Sequence, residues 1–174
     1  ASLTGHLVFS TLHTNNAAGA IPRLIDLGVN AKILTSALTL PIAQRLVRRL
    51  CPACKKEDVP TVDEKSLIDN VIMTIKKKKP ELVITQTTKV WRPTGCEQCN
   101  KTGYKGRVGV FEAIVMDDAV AKVTIENPSE KEIKIAAIPQ GILDMRQDGI
   151  LKILTGVTDM SELGRVVDLT EEFI

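Results

Sequence analysis

Four cysteines, the whole complement of this 174-residue chain, fall into two couples, Cys51-Pro-Ala-Cys54 and Cys96-Glu-Gln-Cys99. Each short turn presents two thiolates on one side, and two turns complete the tetrahedral shell that zinc takes in a structural site. The 41 residues between the couples exceed the roughly 15 to 20 usual for such sites, so the metal would close a long excursion of chain. Disulfides and four unrelated thiols are the competing readings. Cysteine used only in this arrangement favours zinc, and reduced, metal-holding cysteines suit the cytosol. The two histidines, His6 and His13, bound one apolar stretch, with Thr11, Thr14 and Asn15 at its far end. On a regular strand their odd separation places them on opposite faces, so one metal shared by both is not expected. His13 alone would stand where open α/β sheets bind ligands, beyond the carboxyl ends of the strands. Thr11, Thr14 and Asn15 offer hydrogen bonds there to a phosphate or a water, although Thr14 and Asn15 also serve as helix caps.

The elements that would position these groups follow from periodicity. His6–His13 reads as a strand with apolar residues on both faces, as in a parallel sheet covered on each side. Thr14-Asn15-Asn16 caps a helix over 17–27 that Gly28 stops, with Pro22 awkward in its interior. A second helix covers 31–40. Between Ile42 and Leu50 the apolar positions 42, 43, 46, 47 and 50 keep helical spacing, although a short strand also fits. A further helix is expected near 64–75, running into Lys76–Lys79, which reads as a solvated face or helix end. Arg107–Met116 is a strand. Asp117-Asp118 and Ser129, the latter with Glu132 in a capping-box pattern, start two helices. Helices over 142–154 and 161–167, separated by Gly156, close the chain.

Composition narrows the function. Net charge is +2, from 23 basic and 21 acidic residues, and aromatic content is 3%, which together weigh against a nucleic-acid surface. No apolar run approaches the roughly 18 residues that a membrane span needs. The chain carries neither a Gly-x4-Gly-Lys-Ser/Thr phosphate loop nor a nucleophile elbow. It begins at Ala1 in strand-like sequence without an initiator Met, and it reads as the tail of something longer.

Thr4-Gly-His-Leu-Val-Phe-Ser-Thr-Leu-His-Thr-Asn15 resembles the His box of the secretion ATPase superfamily, the hexameric motors of type II secretion and type IV pilus assembly. The resemblance continues through Arg23–Gly28, Gln44–Cys54, Gly95–Cys99, Thr102–Arg107, Val110–Glu112, Asp148-Gly149 and Gly156–Thr158. The tetracysteine insert points to the secretion and pilus-extension branch. The resemblance implies an α/β fold, the later part of a RecA-like (P-loop NTPase) domain. Residues 1–50 and the returning strand 107–116 would belong to its core, 51–106 would be a zinc-binding insertion, and 117–174 a helical C-terminal subdomain. Ile42–Arg48 would then be a strand paired with Val108–Ile114, against the helical count. His13 would approach the γ-phosphate end of ATP, with His6 its partner and Thr11 a sensor-like residue. Arg23, Arg45 and Arg107 would serve nucleotide or subunit interfaces, and Cys51, Cys54, Cys96 and Cys99 would hold structural Zn²⁺. ATP and Mg²⁺ would bind the full-length homo-hexamer, which would work in the cytoplasm against an inner-membrane platform protein, without nucleic acid and without membrane insertion. The chain alone, lacking the phosphate loop and Walker B residues, is expected not to hydrolyse ATP. A stand-alone zinc-dependent interaction module is the alternative. Cys96–Gly106 resembles the cysteine repeats of J-domain chaperones, with Lys101-Thr102 spoiling the glycine spacing.

Overall fold

The computed structural model describes residues 2–84 and 88–169. The described residues divide into two compact units, one built from 2–43 and 112–142, the other from 44–84, 88–111 and 143–169. The insert between the cysteine couples and the last two helices thus share a unit, and the C-terminal helical region is divided at Ile142.

In the first unit, helix α1 (Ala20–Asp26) begins later than its cap residues promise. Asn16 Oδ1 accepts from Gly19 N at 2.8 Å, so the capping oxygen closes a turn ahead of the helix. Pro22 falls in the first helical turn, where its missing N–H leaves no ladder bond broken, and no kink is needed. Gly28 ends the helix at φ +91°. Helix α2 (Ala31–Ala37) starts on Asn30, whose side chain accepts from Lys32 N. After the second crossing of the chain come α4 (Asp118–Glu126), capped by Asp117, and α5 (Glu130–Ala137), capped by Ser129. Ala17, Ala18, Ile21, Leu34, Ile114, Val120 and Ile133 are buried in this unit.

The stretch His6–His13 is not a strand. Among the described residues it pairs with no ladder, and Leu7 and Phe9 are 84% and 87% exposed. Apolar residues on both faces favour a strand only when layers cover both sides, and here neither side is covered.

Strand β1 (Ile42–Leu50) corrects the helical count. It forms a two-stranded sheet with β4 (Tyr104–Ala113). Flanking bonds from Cys51 N to Gly103 O and from Ile114 N to Pro41 O make the pair antiparallel. Ala43 and Val47 are buried while Ile42 and Leu46 are exposed, so alternation governs this part of the strand, and the helical spacing of its apolar residues is coincidental.

The second unit holds the insert. Strand β2 (Lys56–Asp58) pairs antiparallel with β3 (Val90–Arg92), and the intervening helix α3 (Val62–Lys78) opens with a Thr61/Glu64 capping box. Arg92 clamps Glu64 through two bonds of 2.7 and 2.5 Å, tying the strand pair to the helix start. That guanidinium, together with the Thr61 amide, holds the Glu64 carboxyl below its ordinary range. One face of α3 buries Ile68, Val71, Ile72 and Ile75, the i, i+3, i+4, i+7 stripe of an amphipathic helix. It packs on α6 (Met145–Leu154), which buries Ile150, Ile153 and Leu154. Lys76–Lys78 form the last turn of α3, as a helix end. Lys78 nevertheless turns inward, donating at 3.1 Å to Oε1 of fully buried Gln147, whose Nε2 donates to Thr74 at 2.9 Å. The short helix α7 (Met160–Gly164) follows Gly156, and Gly149 lets it approach α6. A Cβ at Gly149 would lie 2.4 Å from Leu163 Cδ1.

Candidate metal centre

Both cysteine couples are tight turns. In the first, the N–H groups of Cys54 and Lys55 turn back to Cys51 O. In the second, Cys99 N and Lys101 N turn back to Cys96 O, and Asn100 and Lys101 take positive φ values of 52° and 62°. Gly95 and Gly103 frame that turn at φ +88° and +80°. A Cβ at Gly95 would lie 2.5 Å from Lys101 O, and one at Gly103 would lie 2.4 Å from Pro93 Cβ. Only glycine fits either place.

These turns bring the four sulfurs together. Cys51–Cys96, Cys54–Cys99 and Cys96–Cys99 are 3.9, 3.8 and 3.7 Å apart, and all four Sγ atoms lie within 4.8 Å of one another. A regular tetrahedron of sulfurs around zinc, with bonds of about 2.3 Å, has edges of about 3.8 Å. The donor set and its spacing fit that ion. Four thiolates fill the shell and leave no position for a water, which makes the arrangement structural. Cys51 and Cys99 are buried. Burial pushes the Cys99 thiol up, but the N–H groups of Cys96 and Gly103, each 3.2 Å from its sulfur, outweigh that and hold it at about 6. Burial and the neighbouring thiols push Cys96 the other way, to about 11.

The centre is stitched to the C-terminal helices by contacts that the sequence reading missed. Lys55, next to Cys54, donates to Gly156 O at 2.7 Å and lies 5.4 Å from the Trp91 ring centroid. Gly156 has φ +67°, and a Cβ there would lie 2.7 Å from Trp91 Cδ2. Leu50 N donates to Val157 O, and Thr158 Oγ1 to Arg48 O. Below them Glu162, with no exposed side-chain surface, accepts from Arg48 N at 2.9 Å, Arg48 Nε at 2.8 Å and Arg165 Nη2 at 3.0 Å. Burial raises its pKa, but the arginines win and hold it at about 2. Arg48 also stacks 4.1 Å over the Tyr104 ring, whose hydroxyl donates to Asp159 at 2.7 Å. Burial first, then that carboxylate, raises the Tyr104 pKa. A cap residue Asp159 with acidic Glu162 three places on was the available signal. The single tryptophan, Trp91, inside β3 and just ahead of the second couple, was another.

The remaining predicted site residues lie apart from this centre in sequence; all are exposed except half-buried Arg45. His6, Thr11, His13 and Arg23 belong to the first unit, and Arg45 and Arg107 to the second. His6 Nδ1 is 3.0 Å from Thr4 Oγ1, while Thr11 and His13 make no hydrogen bond among the described residues. The segment that follows is anchored: Ala17 N donates to Glu112 at 2.6 Å, and Asn16 Nδ2 to Glu130 at 2.6 Å. No helix among the described residues is long and apolar enough to cross a membrane.

A mixed α/β chain with a tetrahedral cysteine cluster and a histidine-bounded segment matches one family along nearly its whole length. The type II/IV secretion system protein family covers residues 1–165, and the chain belongs to it. It is 41% identical over 163 residues to the type IV pilus assembly ATPase PilB of Myxococcus xanthus, covering 94% of this chain and 27% of that protein. It is 43% identical over 166 residues to type II secretion system protein E of Aeromonas hydrophila, covering 95% and 30%. To PilB of Pseudomonas aeruginosa it is 41% identical over 166 residues, covering 95% and 27%. The chain thus spans less than a third of the length of these relatives.

Proposed function

We propose that this chain is the C-terminal part of a cytoplasmic, hexameric motor ATPase that powers pilin or pseudopilin assembly in type IV pilus biogenesis or type II secretion. The observation that carries the reading is a zinc-ready tetracysteine cluster in a chain that aligns almost end to end with such ATPases. Residues 1–50 and 107–116 would supply the later strands of a RecA-like core, with 51–106 inserted between them and 117–174 closing the chain. Exposed Leu7 and Phe9 support this, because large apolar side chains left uncovered call for a covering surface in the parent protein. Zinc would be held by Cys51, Cys54, Cys96 and Cys99, supplying a cross-link and no chemistry.

ATP with Mg²⁺, when bound to the parent protein, supplies the phosphoryl group whose hydrolysis drives the motor. This chain would contribute His13 toward the outer phosphate, His6 as its partner and Thr11 as a hydrogen-bonding sensor. Arg23, Arg45 and Arg107 would face neighbouring subunits, and the assembled ring would act on an inner-membrane platform protein without entering the bilayer. The phosphate loop is not in this sequence, so the chain alone would not turn over ATP. His13→Ala in the parent protein should lower turnover roughly 100-fold or more while nucleotide binding persists. Turnover by the purified 174-residue chain, abolished by His13→Ala, would overturn this reading.

A further inference from the structure

The outer face of the β1–β4 pair carries a concavity of about 360 Å³ lined by Leu46, Arg48, Arg107 and Arg165. Three guanidiniums around one hollow repel one another unless something anionic is near. Part of that anion is built in. Glu162 lies with no exposed side-chain surface and takes one edge of Arg48, through Nε and Nη2, and Nη2 of Arg165. The Tyr104 ring under Arg48 adds a second constraint on that plane. Glu162 is therefore a positioning residue: it fixes two of the arginines that line the hollow.

Its single charge does not balance the site. Arg107 makes no ion pair or hydrogen bond among the described residues and is exposed. Lys105, two residues back in the chain, is exposed as well. Asp159 is engaged by the Tyr104 hydroxyl and by Glu162 N.

We infer that this hollow binds a phosphate-class oxyanion, the phosphate or diphosphate group of a soluble ligand. A tetrahedral phosphate offers at least three oxygens and up to two charges, enough for three separate guanidinium edges. A carboxylate offers two oxygens and one charge, and the lining displays no acceptor for the N–H groups of a peptide chain. The site is independent of the motor reading, since it rests on residues and charges within the second unit alone.

The test is a calorimetric titration of the 174-residue chain with inorganic pyrophosphate at low salt. Parallel titrations use a glutamate-rich peptide and vesicles containing phosphatidylglycerol. Saturable pyrophosphate binding is expected, weakened about tenfold by Arg107→Gln and unchanged by Lys76→Gln, which removes a charge from the end of α3. The Arg107 side chain carries no hydrogen bond or ion pair among the described residues, so the variant should keep the wild-type circular dichroism spectrum. Absent binding, binding indifferent to Arg107→Gln, equal affinity for the acidic peptide, or binding to vesicles alone would each overturn the assignment.

Discussion

Replacing Glu162 with glutamine tests whether the buried carboxylate organises the second unit. The variant keeps the shape but removes the charge against which Arg48 and Arg165 are held. A carboxyl lowered from 4.5 to about 2 in the folded chain contributes about 3 kcal/mol at neutral pH. The two guanidinium side chains are 46% and 60% exposed, and water screens part of that, so a loss of about 2 kcal/mol is expected for Glu162→Gln. Because the folded-state pKa is depressed, this stability is fully present above the ordinary carboxyl value. It is lost as pH falls through the folded value near 2. Urea unfolding followed by Trp91 fluorescence, on both chains from about pH 7 down to about pH 2, reads this directly. The gap between the chains should be full near neutrality and close almost entirely at the acid end. Acid loss of metal from the thiolates affects both chains alike and drops out of the difference. A gap that stays constant with pH, or no gap at neutral pH, would refute the argument that ionised Glu162 is what the arginines hold.

Three further outcomes follow from the packing. Gly149→Ala puts a methyl 2.4 Å from Leu163 Cδ1 and should cost about 1–3 kcal/mol in a urea melt. Gln147→Leu removes the acceptor of Lys78 and of Asp144 N and the donor to Thr74, and should cost about 1–3 kcal/mol through unsatisfied polar groups. On the zinc reading, Cys54→Ser or chelation would remove a cross-link of the order of 10 kcal/mol. Hydrogen exchange should then rise through 44–111 and 143–169, while α1, α2, α4 and α5 keep their protection.

Local chemistry made much of this legible in the sequence. Asn30, Thr61 with Glu64, Asp117 and Ser129 each cap a helix, and a cap is a signal spanning three residues. Gly28 and Gly156 stop helices at positive φ for an equally local reason. The cysteine cluster was readable because each couple builds half a shell by itself. What escaped notice depends on distant partners. Lys56–Asp58 has no strand-like composition and becomes β2 only through β3, more than thirty residues on. Ile42–Leu50 was pulled toward a helix by apolar spacing that the sheet does not use. The strand expected at His6–His13 needs neighbours on both sides and has none here. Glu162 looked like an ordinary helical glutamate, because its arginine partner Arg48 is 114 residues away.

The second unit is not contiguous in the chain, and this sets an order in time. The four cysteines that would hold zinc all lie within 51–99, yet the surface that covers the apolar stripe of α3 belongs to α6. That helix ends at Leu154, 55 residues after Cys99. At ordinary synthesis rates the interval is roughly 3–10 s. For those seconds a cross-linked insert would present Ile68, Val71, Ile72, Ile75 and Trp91 without their cover. A lack of zinc would lengthen the exposure, and the first symptom expected is aggregation of nascent chains.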